Sequence, residues 1–501
     1  MKLYEALARE IEDMVARQVL LPGERLPSVR QQYARRGASP GTVFQAYYLL
    51  EARGVIESRP RSGYYVSPAR APDPVPGAQP GPQPNPHPHP RPQPDPEASR
   101  PDGAPRSVDV SELVFGVLEA ARSRQVVPFG SAFPSPELFP LPRLAREVAS
   151  SMRRLDPWSS VTDLGAGNGE LRRQIALRYQ LDGAPVSAGD IVVTNGALEA
   201  LNLCLQAVAR PGDTVLIESP SFYAALQALE RLQLKAVEVA THPRQGMQLD
   251  ALAEALQRHR PAACWLMTSF QNPLGSLMPA EKKQALVALL AAHGVPLIED
   301  DVYGELYFGA RRPALAKRYD APGAQGLVLH CSSFSKCLAP GFRVGWAAPG
   351  RYAQAVERLK LGTSLAAAMP SQLALASYLG QGGYDRHLRQ LRSALKTQQG
   401  RMLAALAEHF PAGTRVTHPE GGYFLWVVLP DGVDALALHA AALDIGIGIA
   451  PGPMFSAKRE FRNCLRLNYG HPWTAEHEAA VAMLGQLICD PAALAGFAAR
   501  R

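Results

Sequence analysis

Apolar residues recur at helical spacing from the start of the chain, where Leu3, Ala6, Leu7, Ile11, Met14 and Val15 form one stripe and predict an amphipathic helix over residues 2–18. Pro22-Gly23 then turns the chain, and Ser28 stands as the N-cap of a second helix running to Arg36. Gly37 breaks that helix. Ser39 opens a third, from Pro40 to Arg53, with proline at the favoured first helical position. Val55–Ser58 and Tyr64–Val66, joined by Arg59-Pro60-Arg61-Ser62-Gly63, predict a two-stranded ribbon. Far downstream the pattern changes. Short apolar runs at Ile191–Val193, Thr214–Ile217, Cys264–Met267, Pro296–Ile298 and Gly326–Leu329 predict buried parallel strands, with helices such as 197–209, 222–233 and 280–293 between most of them. This is an α/β doubly wound pattern, in which ligands sit beyond the carboxyl ends of the strands. From about residue 370 a smaller α+β region follows and contains the strand-like Gly421–Val428.

Between the two patterns the hydrophobic rhythm stops. From Pro80 to Pro96 proline takes every second position. Such a run lacks the backbone donors of a folded core and favours extended polyproline II, at about 3.1 Å per residue. The chain is therefore divided into an N-terminal domain (1–67), a proline-rich linker (68–107) and a large domain (108–501). His87 and His89 fall within the linker as solvated spacers, and no metal site is expected.

Composition adds bounds. With 501 residues, 47% hydrophobic and 19% charged, the chain exceeds one ordinary domain and reads as globular. A net charge of +7 permits a polyanionic partner without establishing one. The six cysteines lack Cys-x-x-Cys spacing and read as mostly buried thiols of a reducing compartment. The N-terminus mixes charge with apolar residues, unlike a signal peptide, and no run approaches the roughly 20 apolar residues of a membrane span. A cytoplasmic protein is expected.

Helix, turn, helix and wing in this order suit insertion of the third helix into a major groove. Arg30, Ser39, Thr42 and Gln45, near two helix starts, are candidates for phosphate or base-edge contacts; Arg59 and Arg61 on the ribbon are candidates for backbone or minor groove. A small helical protein-docking domain is the competing reading. The stretch Leu21–Arg30, then Thr42-Val43, Leu49–Ile56 and Arg61–Val66, resembles the GntR-type winged helix over about 65 residues. That resemblance implies double-stranded DNA as partner, with Arg30, Ser39, Thr42 and the Ser62-Gly63 wing tip near it. The sequence departs from the pattern at Pro40-Gly41, where many relatives place a basic or hydroxyl residue.

The large domain carries Ser332-Ser333-Phe334-Ser335-Lys336, with Arg343 seven residues after the lysine. Hydroxyls and a downstream arginine around one lysine read as a pyridoxal 5'-phosphate (PLP) motif. Lys336 is the candidate Schiff-base amine, and Ser333, Ser335 and Arg343 are candidate phosphate ligands. Asp300, after a buried strand, is placed to hold the pyridine nitrogen, and Tyr303 and Asn272 to reach the phenolate oxygen. Helix capping by the Asp300-Asp301 pair and a plain Asn-Pro turn are the rival readings. Gly196 and Ala197 open a helix whose N–H groups suit a phosphate. Phe222 is a candidate stacking ring, with core packing as its alternative. Arg466, inside an apolar strand-like run, is a candidate clamp for a ligand carboxylate, or half of an internal salt bridge.

Residues 125–490 resemble fold-type I aminotransferases of the kynurenine/α-aminoadipate branch, and the whole chain resembles the MocR/GabR group of GntR regulators. The resemblance implies a winged helix-turn-helix joined to an α/β fold-type I PLP-dependent aminotransferase-like domain with a smaller α+β C-terminal subdomain. It also implies a homodimer and the roles just named for Gly196, Ala197, Phe222, Asn272, Asp300, Tyr303, Ser333, Ser335, Lys336, Arg343 and Arg466. Relatives often carry a tyrosine just before Gly165-Ala166-Gly167-Asn168-Gly169, reaching the partner subunit's phosphate; here Val161, Thr162 and Asp163 stand nearby. The function expected is a PLP-dependent, DNA-binding transcription regulator that senses the cofactor or a small amino compound. An active aminotransferase retaining a DNA-binding arm is the alternative, and a DNA-bound scaffold with a vestigial pocket is a third reading.

Overall fold

The computed structural model describes residues 3–16, 26, 40–59, 63–67, 94–120, 125–320 and 326–490. They fall in two compact units that divide between His89 and Pro90. In the first unit, helix Leu3–Ala16 turns Leu7, Ala8 and Ile11 inward against Val43, Ala46, Tyr47 and Leu50 of helix Pro40–Ala52. Strands β1 (Ile56–Arg59) and β2 (Gly63–Val66) pair antiparallel, and Leu26 N–H donates to the Tyr64 carbonyl at 2.8 Å. Tyr47 meets the Tyr64 ring edge-on at 5.0 Å, and Arg53 ion-pairs with Glu12 at 2.7 Å, fastening ribbon and first helix to the second described helix. The helix expected over Ser28–Arg36 lies outside the described residues.

The second unit is built on two sheets. The larger contains β3 (Arg106–Ser107), β4 (Val192–Thr194), β5 (Thr214–Ser219), β6 (Lys235–His242), β7 (Gly246–Met247), β8 (Ala263–Leu266), β9 (Leu297–Asp300), β10 (Val328–Ser333) and β11 (Gly345–Ala348). Their order is β3-β6-β5-β8-β9-β10-β11-β4, with β7 added to β6. Neighbours from β6 to β10 are parallel, but β11 runs antiparallel between β10 and β4. The sheet is thus mixed: the five runs expected as parallel strands share one sense, and the antiparallel β11 inserted between β10 and β4 was not foreseen. Four of its strands are not marked by the hydrophobic pattern, the two-residue β3 and β7 and the longer β6 and β11. Lys235-Ala-Val-Glu-Val-Ala-Thr-His mixes charge into β6, and Gly345-Trp-Ala-Ala lacks β-branched residues in β11.

The smaller sheet has the order β12 (Arg415–Val416), β13 (Phe424–Val428), β15 (Cys464–Asn468), β14 (Ala450–Pro451), all antiparallel. Residues 94–107, the end of the stretch expected as linker, are attached to the second unit: β3 pairs with β6, and Val416 N–H donates to the Pro94 carbonyl at 3.1 Å. The Pro94 carbonyl and the side chains of Asp95, Glu97 and Asp102 find partners there, so low core-forming capacity did not leave the stretch unattached. Five cysteines are buried and Cys489 is exposed. Among the described residues no helix is long and apolar enough to cross a membrane.

Candidate functional site

β4, β5, β8, β9 and β10 run in one sense, so their carboxyl ends lie along one edge of the larger sheet. Each end delivers candidate residues: Gly196 and Ala197 after β4, Phe222 after β5, Asn272 after β8, Asp300 and Tyr303 at β9, Ser333 to Lys336 at β10. Arg466 reaches the same place from the middle of β15.

Lys336 is half-buried. Its Nζ donates to the Ala132 carbonyl at 2.8 Å and lies 3.6 Å from the centre of the Phe133 ring. Burial, then the nearby Arg466 and Arg343 cations, lower its pKa to about 7 against the pull of Asp300. A large fraction of free amine is therefore present near neutrality, as nucleophilic attack on an aldehyde requires.

Asp300 ends β9 and is 0% exposed, with neither carboxylate oxygen hydrogen-bonded among the described residues. No helix follows it, which removes the capping alternative. Burial and the adjacent Asp301 push it up to about 7; the Val302 amide and Lys336 only partly offset this. Asp301 is treated differently. Arg312 pairs with it at 2.7 Å and His330 stands at 3.4 Å, and the Arg312 cation first, with the contact to His330, holds it below the usual range despite burial. One acid of the pair is thus anchored structurally, while the other lacks a partner in an apolar place. A buried carboxylate is stable there only opposite a cation or a proton.

Asn272 occupies the expected turn, yet its side chain joins two other candidates. Its Nδ2 donates to Tyr303 Oη at 3.5 Å, and its Oδ1 accepts from Arg466 Nη1 at 3.2 Å. Tyr303 is buried edge-on against Tyr423 and Phe424, and burial raises its phenol pKa.

Arg466 is 0% exposed. Its Nη2 donates to the carbonyls of Gly130 (2.6 Å) and Ser131 (3.1 Å), its guanidinium stacks 4.2 Å from the Phe424 centroid, and Nε has no partner among the described residues. These partners are all neutral, so the internal salt bridge is not what holds this charge. Burial lowers its pKa.

A cradle forms at the start of helix Ala197–Val208. Gly196 has φ +95°, and a Cβ built there would stand 2.5 Å from Arg343 Nη2. Arg343 donates to the Asn195 carbonyl at 3.0 Å and to Ser335 Oγ at 3.4 Å, while Ser335 N–H donates to Ser333 Oγ. Unpaired helix N–H groups, two hydroxyls and a guanidinium are the donors a phosphate dianion takes. With the lysine amine, the unpartnered acid and the Asn272–Tyr303 pair, they match every polar group of PLP. Phe222 is less direct: it is half-buried, 4.8 Å from Tyr223, whose ring in turn meets Phe455 at 5.9 Å.

Several contributors escaped sequence reasoning. Backbone carbonyls of residues 130–133 lie over both Lys336 and Arg466, fastened by Tyr423 Oη to Ala132 (3.0 Å) and Asn468 Nδ2 to Phe133 (2.7 Å). Carbonyl positions leave no trace in residue identity. Phe455 lies 5.3 Å from the Arg466 guanidinium and reads in sequence as an ordinary core aromatic.

In the first unit Thr42 and Gln45 lie one turn apart on a half-buried face of their helix, and Gly63 begins β2 opposite Arg59. Arg30, Ser39, Arg61 and Ser62 lie outside the described residues, as does the side chain of Arg59.

Comparison with known proteins fits both units. Residues 156–483 match the aminotransferase class I and II family, and residues 3–66 match the bacterial regulatory proteins of the gntR family. The chain is 47% identical over 488 residues to the uncharacterized HTH-type transcriptional regulator YdcR of Escherichia coli K12, covering 97% of this chain and 99% of that protein. It is 35% identical to the uncharacterized HTH-type transcriptional regulator YjiR of the same strain, over 97% and 99%. Among solved structures, kynurenine aminotransferase of Pyrococcus horikoshii superposes with a TM-score of 0.70 at 28% identity, over 76% of this chain and 95% of that one. LysN, the α-aminoadipate aminotransferase of Thermus thermophilus, gives 0.68 at 30% identity, over 79% and 100%. The chain belongs to the aminotransferase class I and II family and, through its N-terminal module, is a transcription regulator of the gntR family, of the MocR/GabR type.

Proposed function

We propose that this regulator reads PLP, or a small amino compound meeting PLP, through the site on its second unit and answers through DNA bound by its first. The observation that carries the reading is the pair of unmet charges: Asp300, buried without a partner, and Arg466, buried among neutral ones. PLP would be held covalently at Lys336, by Asp300 at its ring nitrogen, by Asn272 and Tyr303 at its phenolate, and by Gly196, Ala197, Ser333, Ser335 and Arg343 at its phosphate. When bound it supplies an aldehyde that captures amines and a ring that withdraws electrons from them. Phe222 packs beside the ring, and Arg466 receives the carboxylate of the amino compound. Structures of two relatives support this, one in complex with PMP and one with a phosphopyridoxyl-leucine adduct.

The winged helix takes residues 1–67 and the linker starts at residue 68, its last part being fastened to the second unit, with Thr42, Gln45, Gly63 and the flanking Arg30, Ser39, Arg59, Arg61 and Ser62 at double-stranded DNA. The protein acts as a homodimer in the cytoplasm. Leu198 and Leu361 are exposed on two helices that pack together, Ala197–Val208 and Ala353–Thr363, and with exposed Trp158 (73%), Val161 and Leu365 they offer apolar surface that a second copy covers.

The test combines visible absorbance with DNA binding. PLP-loaded protein titrated with amines and amino acids is expected to change spectrum with carboxylate-bearing ligands and to change affinity for DNA near its own gene. A spectrum that responds while DNA binding does not would refute the sensor. With a second keto acid supplied as amino acceptor, release of the donor's keto acid over many turnovers, abolished in Lys336→Ala, would instead make it an aminotransferase.

A further inference from the structure

Residues 94–109 cross from one sheet of the second unit to the other. On the larger sheet, β3 pairs with β6 through Arg106–Ala236 and Ser107–Lys235, and Ser99 exchanges hydrogen bonds with Thr241 of β6, at 3.2 Å through its N–H and 2.9 Å through its Oγ. On the smaller sheet, the Pro94 carbonyl accepts from Val416 of edge strand β12, and Glu97 pairs with Arg415 at 3.0 Å. Asp95 bridges both sides, touching Arg244 beyond β6 and His418 beyond β12. Asp102 pairs with Lys458, which leaves the smaller sheet between β14 and β15.

The ligand site spans the same two sheets. Asp300 and Lys336 come from the larger, Arg466 from the smaller. Phe455 lies 5.3 Å from the Arg466 guanidinium, and three residues on, Lys458 grips Asp102. Between them Ala457 N–H donates to Glu238 of β6 at 3.1 Å, so this short segment is held at both ends. A ligand bonded to Lys336 and clamped by Arg466 fixes one sheet relative to the other. Any residue pinned to both sheets must follow. Residues 94–109 are so pinned, and they directly continue the proline-rich run toward the DNA-binding unit.

We infer that residues 94–109 form a clasp that transmits the arrangement of the two sheets, set by the ligand, into the C-terminal end of the proline-rich run. The inference rests on the sensor reading above and names its route. Surface ion pairs are individually weak, so the clasp acts as a set, and its polar anchors contribute to coupling rather than to holding the cofactor.

The full-length protein and its Asp95→Ala/Glu97→Ala/Asp102→Ala variant are titrated with PLP by visible absorbance. Their affinity for a DNA fragment from near the gene is then measured by fluorescence anisotropy, without ligand, with saturating PLP, and with PLP plus each common α-amino acid in turn. Both proteins are expected to bind PLP within about twofold of each other, whereas the ligand-induced change in DNA affinity falls by roughly three- to tenfold in the variant. An undiminished change in the variant overturns the clasp while leaving the sensor standing. A wild-type protein whose DNA affinity ignores PLP and every amino acid added with it removes the sensor reading and the clasp with it. Should the triple variant lose PLP through misfolding, Glu97→Arg alone is compared with Glu97→Arg/Arg415→Glu. Weakened coupling in the first and recovery in the second support the clasp; equal coupling in both with that of the wild type overturns it.

Discussion

Asparagine at position 300 keeps the shape of the aspartate and removes its charge. The folded chain holds the Asp300 proton up to about pH 7, whereas an unfolded aspartate releases it near 3.8. A raised folded pKa means that the folded form binds this proton more tightly. The stability it contributes is complete below pH 3.8 and is lost as pH rises through about 7. Each pH unit in that window is worth about 1.4 kcal/mol. Between pH 5 and pH 8 the wild type, freed of PLP, therefore loses about 3 kcal/mol relative to Asp300→Asn, whose amide does not titrate. An unpaired amide and an unpaired neutral carboxyl both cost roughly 1–3 kcal/mol, and that offset does not vary with pH. The slope alone is diagnostic.

In a unit of about 400 residues, unfolding entropy near 2.1 cal/mol/K per residue converts about 3 kcal/mol into roughly 3–4 °C. Scanning calorimetry of PLP-free wild type and Asp300→Asn across pH 5 to 8 is expected to show melting temperatures that diverge by that amount, the variant gaining as pH rises. PLP should close the gap for the wild type by placing a cation opposite the carboxylate, and should stabilise the variant far less. Parallel melting curves would refute the reasoning, because they mean that Asp300 is paired or solvated.

Three further outcomes are expected. Arg466→Met removes a cation that lowers the Lys336 pKa, so the pH midpoint for PLP attachment, followed by absorbance, should rise above about 7, and carboxylate-bearing amines should lose their spectral effect. Gly196→Val forces a branched side chain into a positive-φ residue against Arg343, and isothermal titration should show PLP affinity weakened by tenfold or more, roughly the 1–3 kcal/mol cost of such strain. Gln45→Ala and Thr42→Ala should each weaken DNA binding by about 1–3 kcal/mol where they read bases, losing discrimination among fragments, or weaken all fragments alike where they touch only phosphates.

Legibility followed the physics of each feature. Lys336, Asp300 and Asn272 stood out because a polar residue just after an apolar run marks the carboxyl end of a buried strand. The structure brings those three together with Tyr303 and Arg466. Gly196 was marked by its place between β4 and a helix. β11 was hidden because Gly345-Trp346-Ala347-Ala348 gains its strand conformation from two neighbours far away in sequence, not from local preference. β6 was hidden because buried Glu238, satisfied by Ala457, reads as a solvent-facing acid. The carbonyls of residues 130–133 and the clasp depend on contacts spanning more than 100 positions, and residue type encodes neither.

The two unmet charges also set how strongly such a regulator can respond. A ligand shifts DNA binding only by the difference in its own affinity for the two arrangements of the protein. A tenfold change requires about 1.4 kcal/mol. A charge-assisted hydrogen bond contributes roughly 1.5–3 kcal/mol, so one carboxylate contact to Arg466, made in one arrangement and missed in the other, covers ten- to about a hundredfold. Lys336 cannot supply that difference by itself, since its bond and the cradle both belong to the larger sheet and hold in either arrangement. Arg466 alone of the candidate ligand residues stands on the smaller sheet. Discrimination between arrangements therefore rests on the ligand's carboxylate. PLP without an amino acid would act only through Asn272, whose Oδ1 already touches Arg466. The expected order of effect on DNA affinity is amino acid with PLP above PLP alone, and amines lacking a carboxylate level with PLP alone. A simple amine that matches an amino acid would place the switch elsewhere.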